Sequence, residues 1–288
     1  MDDLPPILSR PLIPPVIADY HAGGPAAPPA RSAFAGPRLS AGPATIILLV
    51  FLSVQFAAVF VVSAVAGFIL GVMHAARHAT TPVSQDFAPF LPAILAWGMI
   101  FGTLGGGIAV AKVSAAMFRE HLGDASPLGA AWFYGRLRDC AQGLGAGILV
   151  GLGFLLLATL CASLGIKPDP GLLDKVAASP GLPQVAFIAT ALFLAPPVEE
   201  LLFRGILYGG YRRSFGPARA AALTTGIFVV LHVSEIIRFS PVIFGIGGMA
   251  LAALWFRLRT AAIGPAVAVH FGYNLVIVAA LIISFWAK

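Results

Sequence analysis

Charge is what this chain has least of. Across 288 residues, 10% are Asp, Glu, Lys or Arg, against about 25% in soluble globular domains. Apolar residues take their place: 59% of the chain is hydrophobic and the mean hydropathy is +0.92. That excludes an ordinary soluble enzyme and leaves a polytopic protein whose solvent is the lipid bilayer. Cysteine is scarce too. Cys140 and Cys161 are too few and too separated for a disulfide framework, and no CxxC or Cys/His zinc spacing occurs. A His-Glu-x-x-His helix is also missing. The first long apolar run begins only near Ala44 and exceeds the length of a signal-peptide core, so no secretory leader is expected. The formal charge of +6 belongs to loop arginines that orient a membrane protein and implies no nucleic-acid partner.

What is present divides the chain into three parts. Residues 1–43 are rich in Pro, Ala and Gly, as in Ile13-Pro14-Pro15; such a segment cannot bury a core and reads as a disordered cytoplasmic arm. Residues 44–182 supply N-terminal transmembrane helices, and residues 183–288 a transmembrane core that carries the polar motifs. The expected fold is all-α, a transmembrane helix bundle of about seven to eight spans, each needing about 20 residues. The apolar runs are Ala44 to Val72, Phe90 to Ala111, Ala141 to Leu164, Pro183 to Tyr208, Ala220 to Ile237, Pro241 to Phe256 and Ala261 to Trp286. The sixth is short and reads as tilted or re-entrant. Leu91-Pro92 and Pro196-Pro197 are expected to bend or break their helices, the second pair starting a fresh half-helix with unpaired amides. Glycines four apart, Gly102/Gly106 and Gly143/Gly147/Gly151, predict close helix contacts. Ala115 to Leu122 has the character of an interfacial helix. Basic residues alternate between rich and poor loops, which places the N-terminus in the cytoplasm.

The run Pro196-Pro197-Val198-Glu199-Glu200-Leu201-Leu202-Phe203-Arg204-Gly205 breaks the apolar pattern. Ionisable residues at membrane depth are costly and mark functional cavities. Helical spacing puts Glu200 and Arg204 four apart on one face, where they form a charge-assisted pair. Glu199 points roughly 100° away. One carboxylate is held and its neighbour stays available.

Two later spans carry further polar groups. Phe228 and His232 stand four apart in one, His270 and Asn274 four apart in the other. Counting ~1.5 Å per residue from the cytoplasmic end of each run puts Glu199 at roughly 15 Å, His232 at roughly 18 Å, and His270 and Asn274 at roughly 14 and 20 Å. One layer holds all three motifs, so they are expected to form one site. His74 and His78 share helical spacing but lie at a span end beside Arg77, where solvation accounts for them.

The succession Glu199-Glu200-x-x-x-Arg204, Phe228-x-x-x-His232, His270-x-x-x-Asn274 resembles the CPBP family of intramembrane proteases. That family includes the type II CaaX prenyl endopeptidases and bacterial relatives associated with bacteriocin processing or self-immunity. The resemblance covers roughly Val185 to Ile283. It implies an integral protein of a bacterial cell membrane that hydrolyses a peptide bond in a peptide or lipidated-peptide substrate. It also implies that Glu199, Glu200 and Arg204 form the first site motif, Phe228 and His232 the second, and His270 and Asn274 the third.

The residue types suit that chemistry. Hydrolysis needs a water, a base to activate it and donors for the developing oxyanion. Glu199 is placed to be the base. His232 either shares the water or ligates a metal; His270 and Asn274 form an oxyanion-stabilising pair, or His270 is a further metal ligand. Glu199, His232 and His270 would together make an adequate Zn2+ set, and a metal-free glutamate mechanism is the other reading. Two other functions use the same residues: a non-catalytic scaffold or immunity protein that binds a membrane partner, and a proton-coupled transporter with Glu199 and the histidines as relay. No internal repeat of the transporter kind is evident.

Overall fold

The computed structural model describes residues 39–77, 82, 84, 87–122, 135–169, 175–176 and 181–286, with the helix backbone alone at 114–122 and 285–286. Residues 1–38 of the expected arm and His78 lie outside the described residues. Helix is the regular structure throughout them, with no strand among the described residues. The elements are α1 (Ala41–Ala76), α2 (Leu91–Leu122), α3 (Leu137–Ser163), α4 (residues 182–215), α5 (Pro217–Val230), α6 (Val233–Arg238), α7 (Val242–Thr260) and α8 (Gly264–Trp286). Six of them are long and apolar enough to cross a bilayer, and α5 is a shorter apolar helix. This is an integral membrane helix bundle.

Several sequence expectations change in detail. Pro92 breaks nothing, because α2 starts at Leu91 and a proline in a first turn displaces no helical hydrogen bond. The segment Ala115 to Leu122 is no separate helix; it continues α2. The sixth run extends to Thr260, giving a 19-residue span rather than a re-entrant stub. The fifth run divides instead. Leu231 and His232 form a turn between α5 and α6, and the 14 residues of α5 rise only ~21 Å, short of the ~30 Å hydrocarbon core.

The largest correction concerns Pro196-Pro197. No fresh half-helix begins there. The α4 helix runs on continuously, α-helical over Leu182–Ala189, π-helical over Thr190–Leu194, α-helical over Ala195–Glu200, π-helical again over Leu201–Leu207, and α-helical over Tyr208–Phe215. A proline ring collides with the carbonyl four residues back and offers no N–H. Widening the turn before it to five residues absorbs both defects without ending the helix. Gly216, with φ of 84°, adopts a backbone conformation open to glycine and then lets the chain reverse into α5.

Close packing fixes where these helices lie. The second helix of the first pair presents Gly98, Gly102 and Gly106 to Val59, Gln55 and Phe51 of α1, and a Cβ at Gly106 would come within 2.7 Å of the Phe51 ring. Gly107 faces Val198, the residue before Glu199, at 2.8 Å from such a Cβ. The N-terminal end of α1 is tied to the far end of α4, where Thr45 Oγ1 and Tyr211 OH lie 2.9 Å apart and the Ala41 amide donates to Ser214 Oγ at 2.9 Å. The closest approach joins α3 to α8. A Cβ at Gly147 would run into the Val269 carbonyl, one at Gly143 into the Pro265 carbonyl, and one at Gly272 would stand 2.6 Å from the Leu144 oxygen. Small residues at such spacing let transmembrane backbones touch.

These contacts separate two kinds of glycine in α3. Gly147→Ala forces the α3–α8 pair apart and is expected to lower Tm in detergent, an overpacking cost of about 1–3 kcal/mol. Gly153→Ala, with nothing within 4 Å of the new methyl, should leave Tm unchanged or raise it, since alanine is favoured over glycine in a helix by about 1 kcal/mol.

Candidate active site

Four elements meet around the acidic pair. From α4 come Glu199, Glu200 and Arg204; Phe228 and His232 come from the end of α5, and His270 and Asn274 from α8. A backbone carbonyl arrives from α7. Glu200 is wholly buried and Arg204 is 3% exposed, with 3.1 Å between Arg204 Nη1 and Glu200 Oε1. The other terminal nitrogen of the guanidinium, Nη2, donates to the Ala250 carbonyl at 2.9 Å. The guanidinium lies 4.8 Å from the centre of the Phe228 ring and 5.9 Å from that of Phe203, a cation–π arrangement strengthened by desolvation. Phe203 in turn meets Phe228 edge-on at 5.0 Å.

His270 is 4% exposed and reaches both carboxylates. Its Nδ1 lies 3.0 Å from Glu200 Oε1 and its Nε2 lies 3.9 Å from Glu199 Oε2. An ionised carboxylate only accepts, so the Nδ1 proton is donated to Glu200. That bond fixes the ring and directs the second nitrogen toward Glu199. Glu199 keeps 21% of its side-chain surface exposed. The two adjacent glutamates thus differ as their spacing implies: Glu200 is locked into a buried ion pair, and Glu199 faces open space.

His232 sits at the turn that ends α5, half-buried. Its Nδ1 is 2.8 Å from the Phe228 carbonyl and its ring stacks 4.7 Å from that of Phe228. A carbonyl cannot donate, so Nδ1 bears the proton of this bond. Phe228 also meets His270 edge-on at 6.0 Å, and through this one ring both histidines and the arginine are in contact with a single side chain. Asn274 lies one turn beyond His270 and donates its Nδ2–H to the Ala191 carbonyl at 2.8 Å, inside the first π-helical segment of α4.

The structure therefore brings Glu199, Glu200, Arg204, Phe228 and His270 together, places His232 against Phe228, and directs Asn274 to the backbone behind Glu199. Two participants carry no side-chain signature, the carbonyls of Ala191 and Ala250. For Ala191 the sequence does hold a signal, the missing N–H of Pro196 five residues on. Ala250 offers none. Among the described residues no group of three or more His, Cys, Asp or Glu side chains is placed to hold a metal ion, so Glu199, His232 and His270 do not assemble into the zinc set that their types permit.

Comparison with known proteins adds one match. Residues 181–276 match the family described as Rce1-like, type II CAAX prenyl endopeptidase. No curated protein and no solved structure matches the chain.

Removing one partner of the buried pair isolates its energetic role. Arg204→Ala leaves Glu200 charged and uncompensated, which typically costs about 3–5 kcal/mol; a large fall in Tm in detergent is the expected result. A Tm equal to that of the unaltered protein would show that Glu200 does not depend on this arginine.

Proposed function

Starting from a chain whose residues 181–276 match the Rce1-like type II CAAX prenyl endopeptidase family, we propose that it is an intramembrane endopeptidase that uses Glu199 to activate water. One observation carries the reading: His270 places its two ring nitrogens 3.0 Å from Glu200 and 3.9 Å from Glu199. An oriented imidazole and a partly exposed carboxylate therefore confront each other without a direct hydrogen bond, which leaves both free to act on a substrate.

In the proposed reaction a water sits between Glu199 and Nε2 of His232, which accept its two protons as hydrogen bonds. Glu199 takes one proton as the oxygen attacks the scissile carbonyl carbon. The carbonyl π-electrons move onto oxygen. His270 faces that oxyanion from Nε2, and Asn274, which has a second amide proton besides the one given to Ala191, donates to it. Collapse of the intermediate re-forms the carbonyl and breaks the C–N bond. Glu199 returns its proton to the leaving amine, so atoms and charge balance. Glu200 and Arg204 touch no reacting atom; Arg204 compensates the Glu200 carboxylate, and Glu200 holds His270. No step is routed through a metal, because the donor atoms are not gathered around a common point.

The substrate proposed is a peptide or lipidated peptide reached from the cytoplasmic side of a bacterial cell membrane, with the N-terminus inside. Cysteines introduced near Arg212 and Arg213 should be protected from impermeant reagents in intact cells. Labelling from outside would reverse the orientation.

Glu199→Gln keeps the size of the side chain and removes the base. Hydrolysis of a quenched farnesyl-peptide probe in proteoliposomes should fall to background while Tm changes little, since the substitution keeps the side chain's shape and leaves no buried charge unpaired by its removal. Retained cleavage would remove the proposed base, whereas no cleavage by the unaltered protein would favour a non-catalytic scaffold or self-immunity role. Elemental analysis with chelation tests the metal-free step; activity is expected to persist in metal-free protein, and its loss with recovery on adding Zn2+ would replace this mechanism by a zinc one.

A further inference from the structure

The hydrogen bond from Asn274 to Ala191 does not belong to the reaction just described, and the helix it reaches explains it. In an α-helix the Ala191 carbonyl would accept from residue 195, yet the Ala195 amide is bonded to the Thr190 carbonyl in the π-helical register. In that wider register the Ala191 carbonyl would accept from residue 196. Residue 196 is proline and has no N–H. Both helical donors are thus removed, one by register and the other by chemistry. A backbone acceptor left bare at membrane depth costs free energy, with no water there to satisfy it. Asn274 Nδ2 supplies the missing donor at 2.8 Å, from a residue 83 positions away.

We infer that Asn274 is a positioning residue, a latch that stabilises the π-turn of Thr190–Leu194 and through it sets the direction of Glu199. Glu199 lies three residues past Pro196 on the same rigid helix. If the turn tightened to α-register, every side chain beyond it would rotate about the helix axis by roughly 100° per residue gained or lost. Glu199 would then leave the face that meets His270, and Glu200 would lose its hydrogen bond from His270. Asn274 and His270 stand four apart on α8, so one helix face both orients the imidazole and holds the register that aims the carboxylate. The geometry of the acidic motif is, on this account, maintained from the third motif through a backbone carbonyl. The inference rests on the reading of Glu199 as the base for its consequence in catalysis, but the latch itself is a statement about the helix.

Pro196→Ala makes the test specific, because it restores an N–H to the chain where Ala191 can accept it. The effect of Asn274→Leu, which keeps the approximate shape and removes the donor, is measured both in the otherwise unaltered chain and in the Pro196→Ala chain. Tm in detergent is recorded for all four chains, with kcat and KM on the quenched farnesyl-peptide probe. The expected result is a Tm loss of several degrees for Asn274→Leu when the proline is present that largely disappears when Pro196→Ala accompanies it. The share of the kcat loss that comes from a misplaced base, about 100-fold, should shrink in parallel with little change in KM, while the share from the lost oxyanion donor stays. An Asn274→Leu chain that fails to fold but is recovered by Pro196→Ala supports the latch equally. Equal penalties with and without Pro196→Ala overturn the latch and leave Asn274 solely as a donor to the oxyanion. If Pro196→Ala itself abolishes cleavage, or if the unaltered protein cleaves nothing, the Tm cycle still decides the latch, while the second of these results counts against the proposed peptidase activity alone.

Discussion

A carboxylate with no exposure to solvent, Glu200, is the constraint on which the rest of this structure depends. In a medium of low dielectric an unpaired charge costs several kcal/mol or more, and the helices around it are arranged to meet that cost. Arg204 neutralises it from one turn away on the same helix, His270 adds a hydrogen bond from α8, and Ala250 and Phe228 satisfy the arginine from α7 and α5. Four helices are thereby tied to one carboxylate. The glycine contacts of α3 with α8 and of α2 with α1 and α4 bring the backbones close enough for those short bonds to form. Packing and electrostatics here are one requirement, since a looser bundle would leave the charge uncompensated.

The asymmetry between two adjacent glutamates follows from the same constraint. A helix cannot direct neighbouring residues to the same place, so only one of them reaches the arginine. The other is left facing His270 of α8. His270 links the two: its fixed nitrogen serves the buried carboxylate and its second nitrogen addresses the exposed one. What looks in the sequence like a doubled acid is in the fold a buried, paired carboxylate beside a partly exposed one, the two linked through one imidazole.

The prolines ahead of this pair show how a local defect becomes a positioning device. A break at Pro196-Pro197 would have freed the acidic segment from the helix that aims it. The wide turn keeps the helix continuous and transfers the defect to one orphaned carbonyl, which a distant asparagine satisfies. The cost of the proline is thus converted into a dependence between two motifs that lie far apart in the chain.

The sequence by itself determined the class of protein, the existence of the apolar spans and the grouping of three polar motifs at one depth, because hydropathy and helical spacing are local properties of the chain. It also determined which glutamate pairs with Arg204, since four residues on a helix is a fixed geometry, nearly indifferent to a short π-helical stretch. It did not determine that α5 ends at His232, that α4 passes through its prolines unbroken, or that Asn274 meets a backbone carbonyl. Nor did it show that His270 reaches both carboxylates while the three zinc-type ligands stay ungathered. Those outcomes turn on distances of an ångström or two between residues from 70 to 83 positions apart, set by how closely glycine-lined helices approach and by which register a proline permits. Such distances exist only once the helices are packed.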